Sequence, residues 1–291
     1  MADFLQLLVS GLASGAIYAL AGLGFTLLWQ ASGTLNFAQG EFVMLPAFAM
    51  LAGVALGLPL WAAFAATAVL AVGVLGWSFQ RGIAEPLLRH GHMPVVVATL
   101  GLSIALRSGV RAGYSAEAHP FPSLFGDDVL HLGGVAITRA DVGTLVAALV
   151  LVLGVQAFLA RTVTGRAMQA VAEDAATAAV VGIDVRRMIF YAFAINALLS
   201  CAAALLVAPT YLVKFDMGES LGTKAFFAAV IGGFNNARGT LLGGLVVGVC
   251  ENLAAAYVSA AYKDAVALAI FLFVLLVRPH GLLGRPVERT V

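Results

Sequence analysis

Charge is what this sequence has least of. Only 11% of its 291 residues are Asp, Glu, Lys or Arg, against roughly 25% in a soluble domain. Too few polar groups remain to cover a water-facing surface, which excludes a soluble globular protein. The 16 basic and 15 acidic residues leave a net charge of +1, so the basic excess of a nucleic-acid binder is missing and no nucleic-acid partner is expected. Cysteine is as scarce. Cys201 and Cys250 both lie in apolar segments and offer neither a disulfide framework nor a metal-binding spacing. The phosphate loop Gly-x-x-x-x-Gly-Lys-(Ser/Thr) is absent. Gly218 to Lys224 comes nearest, but Thr223 separates Gly222 from Lys224, so no nucleotide pocket is expected. No Ser/His/Asp or metal constellation is evident, and neither a catalytic residue nor a metal site is expected. His90, His92 and His280 fall near membrane ends, and His119 and His131 in an outer loop. The start, Met1-Ala2-Asp3-Phe4, carries an acid where a signal peptide would carry positive charge. The first hydrophobic segment is therefore expected to be a retained span.

What the chain does have is apolar sequence, 62% of the total. No formal charge occurs from Phe4 to Gly40, from Phe42 to Gln80, or from Met188 to Val213. A helix needs about 20 apolar residues to cross a hydrocarbon core. The runs are continuous rather than alternating, which favours helices over a barrel. Spans are expected at Leu5–Trp29, Gly40–Gly57, Leu60–Gln80, Pro94–Arg111, Asp141–Ala160, Ile189–Tyr211 and Ser259–Val277, with a broken stretch at Ala225–Val258. Its first part, Ala225 to Ala237, is too short to cross comfortably and reads as a tilted span or a re-entrant half-helix. The expected fold is an all-α integral membrane protein, a polytopic bundle of about 8–9 transmembrane segments, forming one domain over residues 1–291. Basic residues gather in Arg81–Met93, in Arg161–Arg187 and in the tail with Arg278, Arg285 and Arg289. These should be cytoplasmic, the C-terminus with them, and Gly113–Ala140 should face the other side.

Glycine is frequent, at 32 residues, and Gly11/Gly15, Gly239/Gly243 and Gly244/Gly248 are each spaced four apart. That spacing lets helix backbones approach closely. Two polar segments interrupt the apolar pattern. Asn36-Phe37-Ala38-Gln39-Gly40-Glu41-Phe42 and Asn235-Asn236-Ala237-Arg238-Gly239 share Asn-x-Ala-(Gln or Arg)-Gly. Paired interruptions in two halves of a transporter point towards inverted repeats with a pathway between them. If both stretches are full crossings, charge counting instead places both breaks on the cytoplasmic side, a conflict that the re-entrant reading of the second eases. The candidate pathway residues are Asn36, Gln39, Glu41, Asn235 and Asn236. Glu41, Arg107, Arg238 and Glu251 are ionisable groups expected within spans, where each needs a partner or water. The two acids would answer the two arginines.

The loop Arg161–Arg187 contains an Ala-rich, proline-free run from Thr164 to Asp184. Its helix propensity is high, and Gly182 is a plausible stop. A short cytoplasmic helix bounded by arginines suits docking to a partner; the plain alternative is an amphipathic connector.

Four stretches together carry a family likeness. They are Gly15-Ala16-Ile17-Tyr18-Ala19-Leu20 with Gly24-Phe25-Thr26-Leu27; Leu35 to Phe42; Gly165-Arg166-Ala167 running to Gly182-Ile183; and Ala229-Val230-Ile231-Gly232-Gly233 through Gly239 to Arg278-Pro279-His280-Gly281-Leu282-Leu283-Gly284. The chain resembles the branched-chain amino acid importer permeases, LivH-type subunit. The resemblance implies an ATP-binding cassette importer in the bacterial inner membrane. A LivM-like second permease, two ATPase subunits and a periplasmic substrate-binding protein would be its partners. ATP would be used by the ATPases, so this chain is expected to hold no cofactor. The loop about 161–188 would dock on the ATPase through Arg166, Ala170, Glu173, Asp174 and Gly182. Other permease families carry Glu-Ala-Ala…Gly there, where this chain has Ala176-Thr177-Ala178 before Gly182. The expected mechanism is alternating access for branched-chain or other hydrophobic amino acids. Amides, urea, short acids and sugars are alternative substrates. A stand-alone secondary transporter is a rival class, and no ion relay is evident for it.

Overall fold

A chain immersed in hydrocarbon has to satisfy its own backbone, and helices do so within one segment. The structure, a computed structural model, describes residues 2–126, 128–132, 135–234 and 236–284. Its helices are α1 (Ala2–Ser32), α2 (Gln39–Ala55), α3 (Leu60–Ala71), α4 (Glu85–Leu88), α5 (His92–Gly113), α6 (Arg139–Arg161), α7 (Val163–Glu173), α8 (Ala175–Val180), α9 (Val185–Tyr211), α10 (Met217–Gly232), α11 (Ala237–Tyr257) and α12 (Lys263–Val277). Two π-wound stretches, Val72–Ser78 and Gln80–Ala84, join α3 to α4, so Leu60–Leu88 runs as one helix. A small antiparallel hairpin, β1 (Val129–Leu132) with β2 (Val135–Thr138), lies in the predicted outer loop. Among the described residues, seven helices are long and apolar enough to cross a membrane, and Gln39–Ala55 is a shorter apolar one. The fold is that of an all-α polytopic membrane protein.

The broken stretch is where the sequence reading needs correction. The helix expected from Ala225 begins at Met217 and ends at Gly232, and α11 starts at Ala237. Glu219 and Lys224 disguised its first turns, because a charge inside a span is normally excluded. Lys224 is tolerated there because it meets a carboxylate.

Helix ends follow local chemistry. Gly33, at φ +64°, stops α1, and its N–H donates to Trp29 O at 2.8 Å. Only glycine takes that conformation without strain. Asp184 caps α9 by accepting from Arg187 N at 3.0 Å, and Asn236 caps α11.

The chain packs as two units. The first comprises residues 1–26, 125–152 and 224–291, the second 27–124 and 153–223; α1, α6 and α10 contribute to both. In the first unit the glycines set how α1 and α11 meet. A Cβ on Gly15 would stand 2.6 Å from Gly244 O, and one on Gly11 would stand 2.8 Å from Val249 Cα. The two backbones therefore touch, and the Thr26 and Thr240 hydroxyls bond at 2.9 Å in the same seam. Phe226 and Phe227 of α10 pack on Phe271 of α12. In the second unit α2 lies against α3 and α9, and α9 also packs on the Val72–Ser78 stretch. Phe42 meets Phe79 edge to face at 5.0 Å, with Ala71, Leu75, Phe193 and Ala197 filling the core around them.

Gly15→Val forces α1 from α11 and is expected to lower stability by about 1–3 kcal/mol, read as a lower thermal midpoint in detergent. Gly154 of α6 has open space around it, so Gly154→Ala should hold or raise the midpoint in the same assay.

Candidate functional site

The turn that opens α2 gathers the first set of candidate residues, all in the second unit. Gln39 N donates to Asn36 O at 3.2 Å, and Ala38 N to Asn36 Oδ1 at 3.0 Å, which closes the turn on itself. Phe37 N donates to Thr99 Oγ1 of α5 at 3.2 Å. Gly40 sits backbone to backbone against Gly218 and Gly222 of α10, and a side chain at any of the three would collide. The motif's glycine is thus needed for close approach.

Gln39 is fully buried and pairs reciprocally with Asn196 of α9. Its Nε2 donates to Asn196 Oδ1 at 2.8 Å, and Asn196 Nδ2 donates back to Gln39 Oε1 at 2.9 Å; Nε2 also reaches Ser200 Oγ at 3.2 Å. Glu41, 2% exposed, presents Oε1 without a hydrogen-bond partner, and Asn36 Nδ2 is in the same state. Ser103 and Arg107 face the Glu41 carboxylate from α5. Arg107 itself forms an ion pair with Glu219 at the start of α10. Between α2 and α3, a cavity of about 200 Å³ opens on Leu45, Pro46, Ala49 and Leu75; Leu45 lies one turn beyond Glu41.

The second polar segment behaves differently. Asn235 lies outside the described residues. Asn236 belongs to the first unit, and its amide is taken up within that unit: Oδ1 accepts from Arg238 N at 3.0 Å and Gly239 N at 3.3 Å, and Nδ2 donates to Leu283 O at 3.1 Å. Arg238 is exposed at the start of α11 rather than held within a span. Glu251, expected to answer an arginine, instead meets Lys224 Nζ at 2.5 Å and accepts from Tyr18 OH at 2.8 Å. Lys224 also reaches Asp264 at 3.2 Å, and Lys263 reaches Glu251 at 3.6 Å. Among the described residues the buried cation is a lysine, not an arginine, and it lies against Glu251 and Asp264.

The candidate docking loop forms two short helices where one was expected. Asp174 breaks the run and caps α8: Oδ1 accepts from Ala176 N at 2.9 Å and Thr177 N at 3.2 Å. The hydrogen bond from the Thr177 hydroxyl, followed by these backbone donors, lowers the Asp174 carboxyl below its ordinary value of 3.8. The cap's contribution is therefore in place above that value and is lost as pH falls through the lowered folded one. Gly182, at φ +88°, ends the loop's helical part as expected. The apolar face of α7, Met168 and Val171, packs with Leu159, Met188 and Ala192. Arg166, Glu173, Asp174 and Gly182 are exposed and Ala170 is half-buried. Val163, Val180 and Val181 are also exposed, at 77%, 87% and 71%.

Sequence reasoning missed Thr99, Ser103, Asn196, Ser200 and Lys224. Asn196 and Ser200 carried a usable signal, since they are polar, four apart on one helix face, and sit in an otherwise uncharged run.

A many-span helical bundle with a buried polar turn and an exposed loop of short helices defines a polytopic membrane protein. The family model for the branched-chain amino acid transport system / permease component matches residues 7–275, and the chain belongs to that family. It is 33% identical to the high-affinity branched-chain amino acid transport system permease protein BraD of Pseudomonas aeruginosa, over 97% of this chain and 96% of the relative. Identity to the permease protein LivH of Escherichia coli is also 33%, over the same shares. It is 34% identical to the autoinducer 2 import system permease protein LsrC of Klebsiella pneumoniae, over 82% of this chain and 67% of that one. No solved structure matches the chain.

Gln39→Leu leaves the Asn196 amide buried without its partner, which should cost about 1–3 kcal/mol. Gln39→Leu with Asn196→Leu should recover part of that loss. Thermal unfolding of the single and double variants in detergent measures the coupling.

Proposed function

We propose that this chain is the membrane-spanning permease subunit of an ATP-binding cassette importer, translocating branched-chain or other hydrophobic amino acids across the bacterial inner membrane. The likeness to BraD and LivH along nearly the whole of both chains carries the reading. It acts as one permease domain beside a LivM-like second permease, two cytoplasmic ATPases and a periplasmic substrate-binding protein. The chain itself does no chemistry and needs no cofactor, and ATP hydrolysis occurs in the partner ATPases. The C-terminus and the α7–α8 loop face the cytoplasm, in keeping with the arginines around them.

Coupling runs through α7 and α8. Their exposed valines and the charges of Arg166, Glu173 and Asp174 give the ATPase an apolar centre with a polar rim. ATP-driven closure of the ATPases moves this loop and rocks the permeases between outward and inward states. The loop has to bind the ATPase differently in the two states for energy to pass. Asn36, Gln39, Glu41, Asn235 and Asn236 are assigned to the substrate pathway. A second reading, import of autoinducer 2, is favoured by the likeness to the autoinducer 2 import system permease protein LsrC.

Affinity purification of the chain in mild detergent is expected to bring ATPase subunits with it. Cells expressing the system should take up L-leucine, and uptake of autoinducer 2 without L-leucine would favour the second reading. Val180→Glu puts a charge into the apolar centre and should reduce ATPase recovery about tenfold or more at unchanged membrane level. Wild-type recovery would remove α8 from the docking surface.

A further inference from the structure

Among the described residues, the second unit has five buried side-chain atoms without a hydrogen-bond partner, and two of them share one turn: Asn36 Nδ2, a donor, and Glu41 Oε1, an acceptor. Their residues are 4% and 2% exposed and stand on the turn that opens α2. Other polar groups of the cluster are engaged. Asn36 Oδ1 holds Ala38 N, Gln39 holds Asn196 and Ser200, and Thr99 holds Phe37 N and Val96 O. Arg107 faces the Glu41 carboxylate but pairs with Glu219 and does not donate to Oε1. Arg111, one turn further along α5, lies against the Phe215 ring at 5.2 Å. The other buried acid, Glu251, shows what a satisfied carboxylate looks like in this protein, with Lys224, Lys263 and Tyr18 all on it. Glu41 has Ser103 and Arg107 facing it but no group bonded at Oε1, and a buried acceptor without a partner calls for an explanation.

An α-amino acid supplies what is missing. Its ammonium is a donor with three protons, and its carboxylate is an acceptor. We infer that Glu41 Oε1 takes the ammonium of a zwitterionic amino acid in transit, with Asn36 Nδ2 and the Arg107 guanidinium as the donors for its carboxylate. This rests on the amino-acid reading above and names the atoms that carry it. Glu41 discriminates by charge: the ammonium neutralises a carboxylate that nothing in the cluster bonds at Oε1. An analogue without the ammonium brings a second negative charge to the same turn, where like charges repel. Arg107, already paired with Glu219, holds the carboxylate end weakly, which suits a site that has to release its cargo.

The test is equilibrium binding of radiolabelled L-leucine to the permease, purified with the subunits that accompany it and set in nanodiscs without the binding protein. The competitors are 3-methylbutylamine, which keeps the ammonium, and 4-methylpentanoate, which keeps the carboxylate. The amine is expected to compete at least about 30-fold better than the acid. Glu41→Gln should abolish that difference and weaken L-leucine by a similar factor, while Glu41→Asp should keep the ranking. Recovery of the same accompanying subunits with each variant shows that it is folded. Equal competition by both analogues in the wild type, or an unchanged ranking in Glu41→Gln, would overturn the inference and leave a buried water as the occupant. A wild-type complex that binds no L-leucine at all would overturn the amino-acid reading itself, and this inference with it.

Discussion

A polar group surrounded by hydrocarbon has no water to bond, so inside a membrane bundle each one must find its partner in the protein. That constraint orders this chain at every level. It makes the backbone helical, brings α1 and α11 into contact across glycines, and pairs the Thr26 and Thr240 hydroxyls within their seam. Gln39 is tied to Asn196 by two amide hydrogen bonds, and Lys224 lies against Glu251 with Tyr18 and Asp264 beside them. Asn36 Nδ2 and Glu41 Oε1 are among the buried side-chain atoms left without a partner, and these two share the turn that opens α2.

The same constraint separates holding a shape from doing work. A buried ion pair such as Lys224–Glu251 contributes little net stability against well-packed apolar residues, yet losing either partner is severe. It therefore specifies where α10, α11 and α12 meet. Energy for transport has to arrive from elsewhere, because nothing inside the bundle binds nucleotide on the reading proposed. On that reading the α7–α8 loop takes the role. Its inner face is apolar and seated on the ends of α6 and α9, and its outer face carries exposed valines and charges. Asp174 and Gly182 fix the two short helices at a cap and a left-handed stop, which gives a partner a defined shape to grip.

Much of this was legible in the residues, and the failures have physical causes. Long uncharged runs revealed α1, α3 and α9, because charge is excluded from segments that cross hydrocarbon. The start of α10 was hidden, because Glu219 and Lys224 look like loop residues until the partner of each is seen. Gln39, Asn36 and Glu41 were found as a motif, but the sequence could not show that Gln39 is held by Asn196, a residue far away along the chain. The second motif looked like the first in composition. In the structure Asn236 caps α11 and bonds Leu283 O, contacts that five matching letters do not reveal.

The account depends most on which way α7 and α8 face. Cys201 and Cys250 lie within α9 and α11, so replacing both by alanine gives a background in which a single exposed cysteine can be followed. Glu173→Cys or Ala176→Cys, treated with a membrane-impermeant maleimide, should label in inside-out vesicles and stay unlabelled in intact cells. Labelling of either position from outside intact cells would contradict the account, since an ATPase in the cytoplasm could not then reach the loop.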